Sequence, residues 1–108
     1  MNVLLLYNSL ETYANTVYEH LSSFKQFSKN NIYYCHISQH KSTNVDFNLF
    51  DTLIFHYTVR LPYDQFSNTD ADRISNFRGL KVLFIQDEYD NTFRTWYWIK
   101  RLGIQLVF

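Results

Sequence analysis

The run Thr52-Leu53-Ile54-Phe55-His56-Tyr57 is predominantly apolar and rich in β-branched and aromatic side chains. A short continuous run of this kind is typical of a β-strand buried on both faces, as in a parallel sheet. The chain carries four further strand-like runs, at Val3–Tyr7, Ile32–Ser38, Lys81–Gln86 and Ile104–Phe108. The sequence therefore predicts five strands, with the quoted run in the middle of the chain.

Between these strands the apolar residues follow the period of an amphipathic helix. This period predicts a helix over Glu11–Phe27 and a single helical turn over residues 47–50. A shorter helix is predicted from a capping residue within 68–70 to Arg78, with Ile74 and Phe77 facing inward.

A third predicted helix is rich in aromatic side chains, and Asp90 or Asn91 is expected to cap it. Its expected core-facing stripe consists of Phe93, Trp96, Tyr97 and Lys100, widened by Ile99 and Leu102. Trp98 falls off this stripe, so we expect it to be exposed and to suit an interface with another domain.

Strands that alternate with helices imply βαβ units with right-handed crossovers. We therefore predict an α/β fold, a Rossmann-like three-layer sandwich with a mainly parallel five-stranded sheet. Residues 1–108 form one such domain. Because the chain ends within an apolar strand, we expect it to be the first part of a longer protein.

The 10 basic and 10 acidic residues leave a formal net charge of zero, so the chain has no global electric field to hold DNA, RNA or an acidic membrane. A nucleic-acid-binding function is therefore not expected. No apolar run approaches the roughly 18 residues that a membrane-spanning helix needs, and no secretory signal precedes the first strand. We expect a cytoplasmic protein with no transmembrane segment, and the sequence leaves open a peripheral membrane association of a full-length protein.

The scarcity of cysteine and glycine excludes several kinds of site. Cys35 is the only cysteine, so we expect an inert strand-borne thiol and no thiolate metal cluster. The histidines lack metal-binding spacing, so no metal site is predicted. The two glycines, Gly79 and Gly103, cannot form a dinucleotide- or phosphate-binding loop, so no cofactor is predicted. Each instead follows a predicted helix, where a glycine with positive φ is expected to end it.

Ligands of parallel α/β sheets bind beside the carboxyl ends of the strands, and this rule selects the candidate site. The predicted catalytic candidates are His56 and Asp87, with His56 as a general base that a carboxylate orients. The predicted substrate-binding candidates are Asn8, Ser9, Tyr57, Arg60, Glu88 and Tyr89.

Each of these candidates also has a purely structural interpretation. In that interpretation His56 is a strand-end residue that forms a hydrogen bond to the backbone. Asp87 or Glu88 is suited to capping the next helix, where the helix dipole favours a carboxylate. Arg60 binds a phosphate or carboxylate in one interpretation and is a solvated loop charge in the other.

Two stretches resemble the amino-terminal domain of bacterial GT-B glycosyltransferases of the group 1 kind. The first is FDTLIFHYTVR, Phe50–Arg60, and the second is FRGLKVLFIQDEY, Phe77–Tyr89. The opening strand and helix also fit, so the resemblance covers essentially the whole chain. Thr58 stands where this family more often has Ser.

The resemblance implies a two-domain enzyme with a cleft between two Rossmann-like domains. Residues 1–108 correspond to its acceptor-side domain, and a missing carboxyl-terminal domain holds the nucleotide-sugar. The implied function is transfer of a sugar to a glycan or a lipid-linked acceptor, with this half inactive alone. None of the family's donor-binding residues can be carried over to this chain. The matching stretches include His56, Tyr57, Arg60, Asp87 and Glu88, whose individual roles are inferred from position alone.

Two other classes of protein compete with this interpretation. A flavodoxin-like module would use residues 7–16, which are rich in hydroxyl groups, as a turn that binds the phosphate of FMN. A receiver-like module would need acidic residues after the first strand and Asp at the end of the third, where the chain has Asn8 and His56. A non-catalytic interaction domain is a further alternative.

Overall fold

Five strands form one sheet in the computed structural model, which describes residues 1–8, 22–23, 29–57, 59, 66–84 and 92–108. The strands are β1 (Asn2–Tyr7), β2 (Asn31–His36), β3 (Thr52–Phe55), β4 (Leu80–Leu83) and β5 (Leu106–Val107). Within the described residues the order is β2-β1-β3-β4-β5, and all four neighbouring pairs are parallel. The predicted α/β, Rossmann-like arrangement with a parallel five-stranded sheet is confirmed.

Several strands are shorter than predicted. β2 ends at His36 rather than Ser38, and β3 ends at Phe55 rather than Tyr57. β5 is reduced to two residues on the edge of the sheet. After β2 and β3 the buried run continues into the connecting segment, where Ile37, Ser38 and His56 are also buried. Hydrophobicity alone therefore overestimates the length of these two strands.

The register of the sheet places one set of apolar side chains on the helix-covered face. Leu4 lies opposite Leu53, and Leu6 lies opposite Phe55, which in turn lies opposite Leu83. All five side chains are at most 1% exposed and belong to the main core cluster. Side chains alternate between the faces of a strand, so the intervening residues face the other side.

On the second face of the sheet, Val3, Leu5 and Ile32 form a separate buried cluster. Tyr7 and Ile54 pack against it. The predicted helix over 11–27 lies outside the described residues, apart from the helical positions 22 and 23.

Helix α1 (Asn68–Asn76) begins one residue earlier than predicted. Ser67 is the N-cap, and its hydroxyl accepts a hydrogen bond from the Asp70 amide at 3.1 Å. Ile74 is fully buried and Phe77 is 6% exposed, so the predicted inward direction of both is confirmed.

The predicted direction of helix α2 (Thr92–Leu102) is wrong, because the stripe expected to face the core faces solvent. Phe93, Trp96 and Tyr97 are 91%, 56% and 58% exposed. Leu102 is buried and Ile99 packs against the core, as predicted. The other buried side chains are Thr95 and Trp98, so the prediction of an exposed Trp98 is also wrong. Residues 95, 98 and 102 form an equally regular helical stripe, and periodicity alone could not choose between the two stripes.

The two glycines have different roles. Gly103 has φ +73° and directly follows α2, as predicted. The same prediction is wrong for Gly79, because Phe77 ends α1 in an extended conformation and Gly79 has no positive φ. A Cβ atom at Gly79 would lie 2.3 Å from the carbonyl oxygen of Asp51, so close packing of the backbone requires glycine there.

The connection from β2 to β3 crosses the same face as the two helices. It includes the predicted helical turn, a 3-10 turn at Phe47–Leu49 that Asp46 caps. The Phe47 side chain is buried in the main core, and the Arg73 guanidinium of α1 lies 4.6 Å from the centre of its ring. Arg73 also donates hydrogen bonds to the carbonyl oxygens of Thr43 and Val45, which fasten this connection to α1.

Lys81 is a buried cation on β4 that joins the carboxyl-terminal ends of both helices. Its Nζ donates to the carbonyl oxygen of Leu102 at 2.8 Å and to that of Ser75 at 3.3 Å. The last carbonyls of a helix lack partners within the helix, and the helix dipole makes that end negative. One ammonium group thus satisfies the ends of α1 and α2, although burial lowers the pKa of Lys81 below 10.5.

We expect Lys81→Met to lower the free energy of unfolding at neutral pH by about 1–3 kcal/mol, because it removes charged hydrogen bonds to one carbonyl at the end of each helix, that of Leu102 being buried. The wild-type chain should gain stability relative to this variant as the pH rises toward 10.5, because the unfolded chain holds its proton to higher pH than the folded chain. Urea denaturation over a pH series measures both effects.

Lys29→Met is the matched control for this experiment, because Lys29 is exposed. It should lower the free energy of unfolding at neutral pH much less than Lys81→Met does. A gap between wild type and Lys81→Met that stays constant up to pH 10.5 would contradict the assigned burial of the charge.

Candidate functional site

The order of the strands reverses between β1 and β3, and this reversal defines the candidate crevice. From β1 the chain goes to β2 on one side and then returns to β3 on the other side of β1. In parallel sheets with such a reversal, ligands bind beside the carboxyl ends of the two strands at which the order reverses, here β1 and β3. Candidate residues after these two strands therefore lie beside the switch point.

Asn8 directly follows β1 and is only 2% exposed. Its Nδ2 donates to the carbonyl oxygen of Ile37 at 3.1 Å, just beyond the end of β2. The amide group therefore fastens the ends of two neighbouring strands, and Asn8 is buried beside the switch point rather than exposed at the edge of the sheet.

His56 directly follows β3 and has no exposed surface. Its amide donates to the Leu6 carbonyl at 2.9 Å, and its carbonyl accepts from the Val59 amide at 2.9 Å. The imidazole ring lies 4.1 Å from the ring of half-buried Tyr57, at an angle of 32°. His56 thus lies beneath Tyr57, next to the end of β1, with its backbone in hydrogen bonds on both sides.

The remaining predicted site residues lie outside the described residues: Ser9, Arg60, Asp87, Glu88 and Tyr89. Strand β4 leads toward the last three, and the bond from the Phe84 amide to the Phe55 carbonyl extends its pairing with β3 by one residue. The structure therefore brings Asn8, His56 and Tyr57 to one edge, while the placement of Asp87 stays a prediction.

Sequence reasoning missed a buried carboxylate at the same edge. Asp70 lies in the first turn of α1 and has no exposed surface. Both of its carboxylate oxygens accept from the Thr43 amide, at 3.1 and 3.2 Å, and the Arg73 guanidinium lies 3.6 Å away. Ser67 and Asp70 have the three-residue spacing of a capping box, which was the available sequence signal.

Asp70, Thr43 and Arg73 form a cluster, here called the Asp70 cluster, to which Cys35 also belongs. Cys35 is 7% exposed. Its thiol lies 3.3 Å from the Thr43 hydroxyl, and burial raises the pKa of the thiol above 9.0. A thiol that stays protonated at neutral pH is a poor nucleophile, which fits the predicted inert strand-borne role.

A shallow depression of about 140 Å³ lies beside this cluster. It is lined by Asp46, Phe47, Asn48, Arg73 and Asn76. The guanidinium of Arg73 already donates to two carbonyl oxygens, and the lining carries charges of both signs. The Asp70 cluster and the depression together therefore bind the β2–β3 connection to α1 and offer no unused set of catalytic groups.

No group of three or more His, Cys, Asp or Glu residues that could hold a metal ion occurs in the described part of the chain. In the same residues, no helix is long and apolar enough to cross a membrane.

Comparisons of the chain with protein-family models, with curated proteins and with solved structures returned no match.

Diethyl pyrocarbonate should modify exposed His36 and His40 in the folded chain and leave His56 unmodified, because the reagent needs contact with the imidazole ring. Mass spectrometry of proteolytic fragments after brief labelling at neutral pH measures the three sites separately. The denatured chain should be labelled at all three, and equal labelling of His56 in the folded chain would contradict its burial.

Burial raises the pKa of Asp70 above 3.8, although the Thr43 amide and Arg73 partly offset the effect. The folded chain therefore binds this proton more tightly than the unfolded chain, and stability falls as the pH rises from 3.8 through the raised pKa. We expect wild type to lose stability relative to Asp70→Asn over this window, as measured by urea denaturation.

Asp72→Asn is the matched control on the same helix, because the Asp72 side chain is 67% exposed. It should not reproduce the change in relative stability that is expected for Asp70→Asn. If Asp70→Asn and wild type keep a constant difference across the acidic range, the assigned raised pKa is wrong.

Proposed function

We propose that residues 1–108 are the acceptor-side domain of a two-domain GT-B glycosyltransferase. The complete enzyme transfers a sugar from a nucleotide-sugar to a glycan or a lipid-linked acceptor in the cytoplasm. The donor is held by a second, carboxyl-terminal domain, so this domain is inactive alone and needs no resident cofactor.

One observation carries the proposal: both stretches that resemble the family surround neighbouring parallel strands. The first, Phe50–Arg60, contains β3, and the second, Phe77–Tyr89, contains β4. Parallel neighbours direct the residues that follow them to the same edge of the sheet. Segments that are separated in sequence but resemble one family are therefore suited to lining one crevice.

Within this proposal the buried residues position the site, and the residues that follow the strands contact the acceptor. Asn8 and His56 are buried at the carboxyl ends of β1 and β3. Full burial favours a positioning role for His56 beneath Tyr57 over the role of a general base, which must reach the acceptor hydroxyl. We therefore assign acceptor contact to the loop candidates Ser9, Arg60, Glu88 and Tyr89, with Asp87 as the catalytic base.

A flavodoxin-like FMN-binding module is the second candidate, because the strand order supports it. The order β2-β1-β3-β4-β5 is that of flavodoxins and receiver domains. A receiver is disfavoured, since Asn8 and His56 stand where its acidic residues are needed. For a flavodoxin, residues 9–16 would have to bind a phosphate without a glycine.

We expect the 108-residue chain to show no micromolar binding of UDP- or GDP-sugars, because the proposed donor site lies in another domain. Extending the reading frame beyond Phe108 should add a second α/β domain of roughly 150 residues or more. The extended chain should bind one of these donors, and isothermal titration calorimetry of both proteins makes the comparison.

Three outcomes decide against the proposal. Tight donor binding by residues 1–108 would show that the donor pocket is complete within them. A reading frame that adds no second domain would contradict the proposal, which requires a donor-binding domain in the same protein. A yellow chain that binds FMN stoichiometrically would establish the flavodoxin-like candidate instead.

A further inference from the structure

Strand β2 lies at one edge of the sheet and, within the described part of the chain, pairs only with β1. Its six residues, Asn31–His36, include no Lys, Arg, Asp or Glu, no proline and no glycine. Tyr33 is 50% exposed on one face of the sheet, and Tyr34 is 36% exposed on the other. Soluble proteins usually protect an edge strand with lysine, proline or a bulge, and a long edge without them is suited to pairing with another strand.

The hydrogen bonds to β1 determine which backbone groups of β2 point outward. The Ile37 amide, just beyond β2, donates to the Tyr7 carbonyl at 2.8 Å, so the backbone of Ile37 faces β1. In a parallel pair the N–H and C=O groups of one residue point to the same side, and those of the next residue point to the opposite side. The backbone groups of Ile32, Tyr34 and His36 therefore point away from β1.

We propose that β2 pairs with β2 of a second copy of the chain, antiparallel about a two-fold axis at Tyr34. Opposed residues of an antiparallel pair exchange two hydrogen bonds at every second position. With Tyr34 opposite Tyr34 of the second copy, Ile32 lies opposite His36, and all three outward-pointing residues exchange such bonds. Any other register sets at least one of them opposite a residue that lies outside β2 or faces β1.

The side chains also match in this register. Tyr33 lies beside Cys35 of the second copy, so a large ring is opposite a small thiol. On the other face the two Tyr34 rings meet at the axis, and cross-strand aromatic pairs of this kind stabilise a sheet. The lysines nearest in sequence, Lys29 and Lys41, lie outside the paired strands, so no like charges meet within them. An unrelated strand would share the backbone bonds but not this match, which is why a second copy is the occupant we assign.

The pairing is complete with two copies. It joins two five-stranded sheets into one continuous sheet, with β5 at both outer edges. Because β5 has only two residues, these outer edges offer little further pairing. The expected product is therefore a dimer rather than a fibre. This inference assigns a surface and a partner independently of the proposed glycosyltransferase activity.

Sedimentation velocity of the 108-residue chain, from micromolar to near-millimolar concentration, should show a monomer–dimer equilibrium. Tyr34→Lys should raise the dissociation constant by about tenfold or more, because it sets two like charges opposite each other at the axis. Leu49→Lys is the matched control, since it adds the same charge at a residue that is 67% exposed on the 3-10 turn, and it should dimerise as wild type does. Circular dichroism checks that both variants fold.

Disulfide formation tests the register. Tyr33→Cys should form an intermolecular disulfide with Cys35 of the second copy under mild oxidation, because opposed residues between the hydrogen-bonded pairs lie closest together. Mass spectrometry of proteolytic fragments identifies the linked residues. Adding Tyr34→Lys to this variant should slow the cross-link, and Leu49→Cys should form no such cross-link with Cys35.

The proposal is overturned if wild type stays monomeric at every concentration. It is also overturned if Tyr34→Lys dimerises as tightly as Leu49→Lys while both are folded. A dimer that Trp96→Ser dissociates and Tyr34→Lys leaves intact would assign the contact to the exposed side of α2 instead. A Tyr33→Cys variant that links to its own position in the second copy, rather than to Cys35, would reject the two-fold axis at Tyr34.

Discussion

The pairing of β1 with both β2 and β3 is the constraint on which the other features depend. All strand pairs among the described residues are parallel, so no neighbouring pair can be joined by a tight hairpin. Each connection must return across a face of the sheet. This requirement brings the carboxyl ends of the strands and the start of each described helix to one edge, where Asn8 and His56 lie.

Because of the same constraint, backbone groups at the helix ends and in the long connections need hydrogen-bond partners from buried side chains. The returning helices end at the opposite edge, and buried Lys81 satisfies carbonyl groups at the ends of both. The long β2–β3 connection must lie against α1, and Asp70 and Arg73 provide its hydrogen bonds. The described part of the chain leaves no buried side-chain nitrogen or oxygen without a partner, as expected when each such loss costs stability.

The position of the buried residues of the candidate site, Asn8 and His56, could be predicted from the sequence. The sequence predicts Asn8 and His56 as site residues because they lie at the carboxyl ends of apolar strand runs, and parallel pairing does place them at one edge. Their burial could not be predicted, because it depends on side chains brought over them by other segments. Asp70 was missed for the same reason: its partner Thr43 is 27 residues away in sequence.

The sequence by itself determined the existence and type of the described elements, because apolar runs and helical periods are local properties of the chain. It also determined that the sheet is parallel, through the alternation of strands and helices. Only the tertiary structure decided which side of α2 faces the core. Two stripes of that helix are regular and largely apolar, and the choice between them depends on which one fits the surface that the sheet and α1 present. The burial of Trp98 and Lys81 was decided in the same way, since close packing selects by shape and by available hydrogen-bond partners, which no local pattern records.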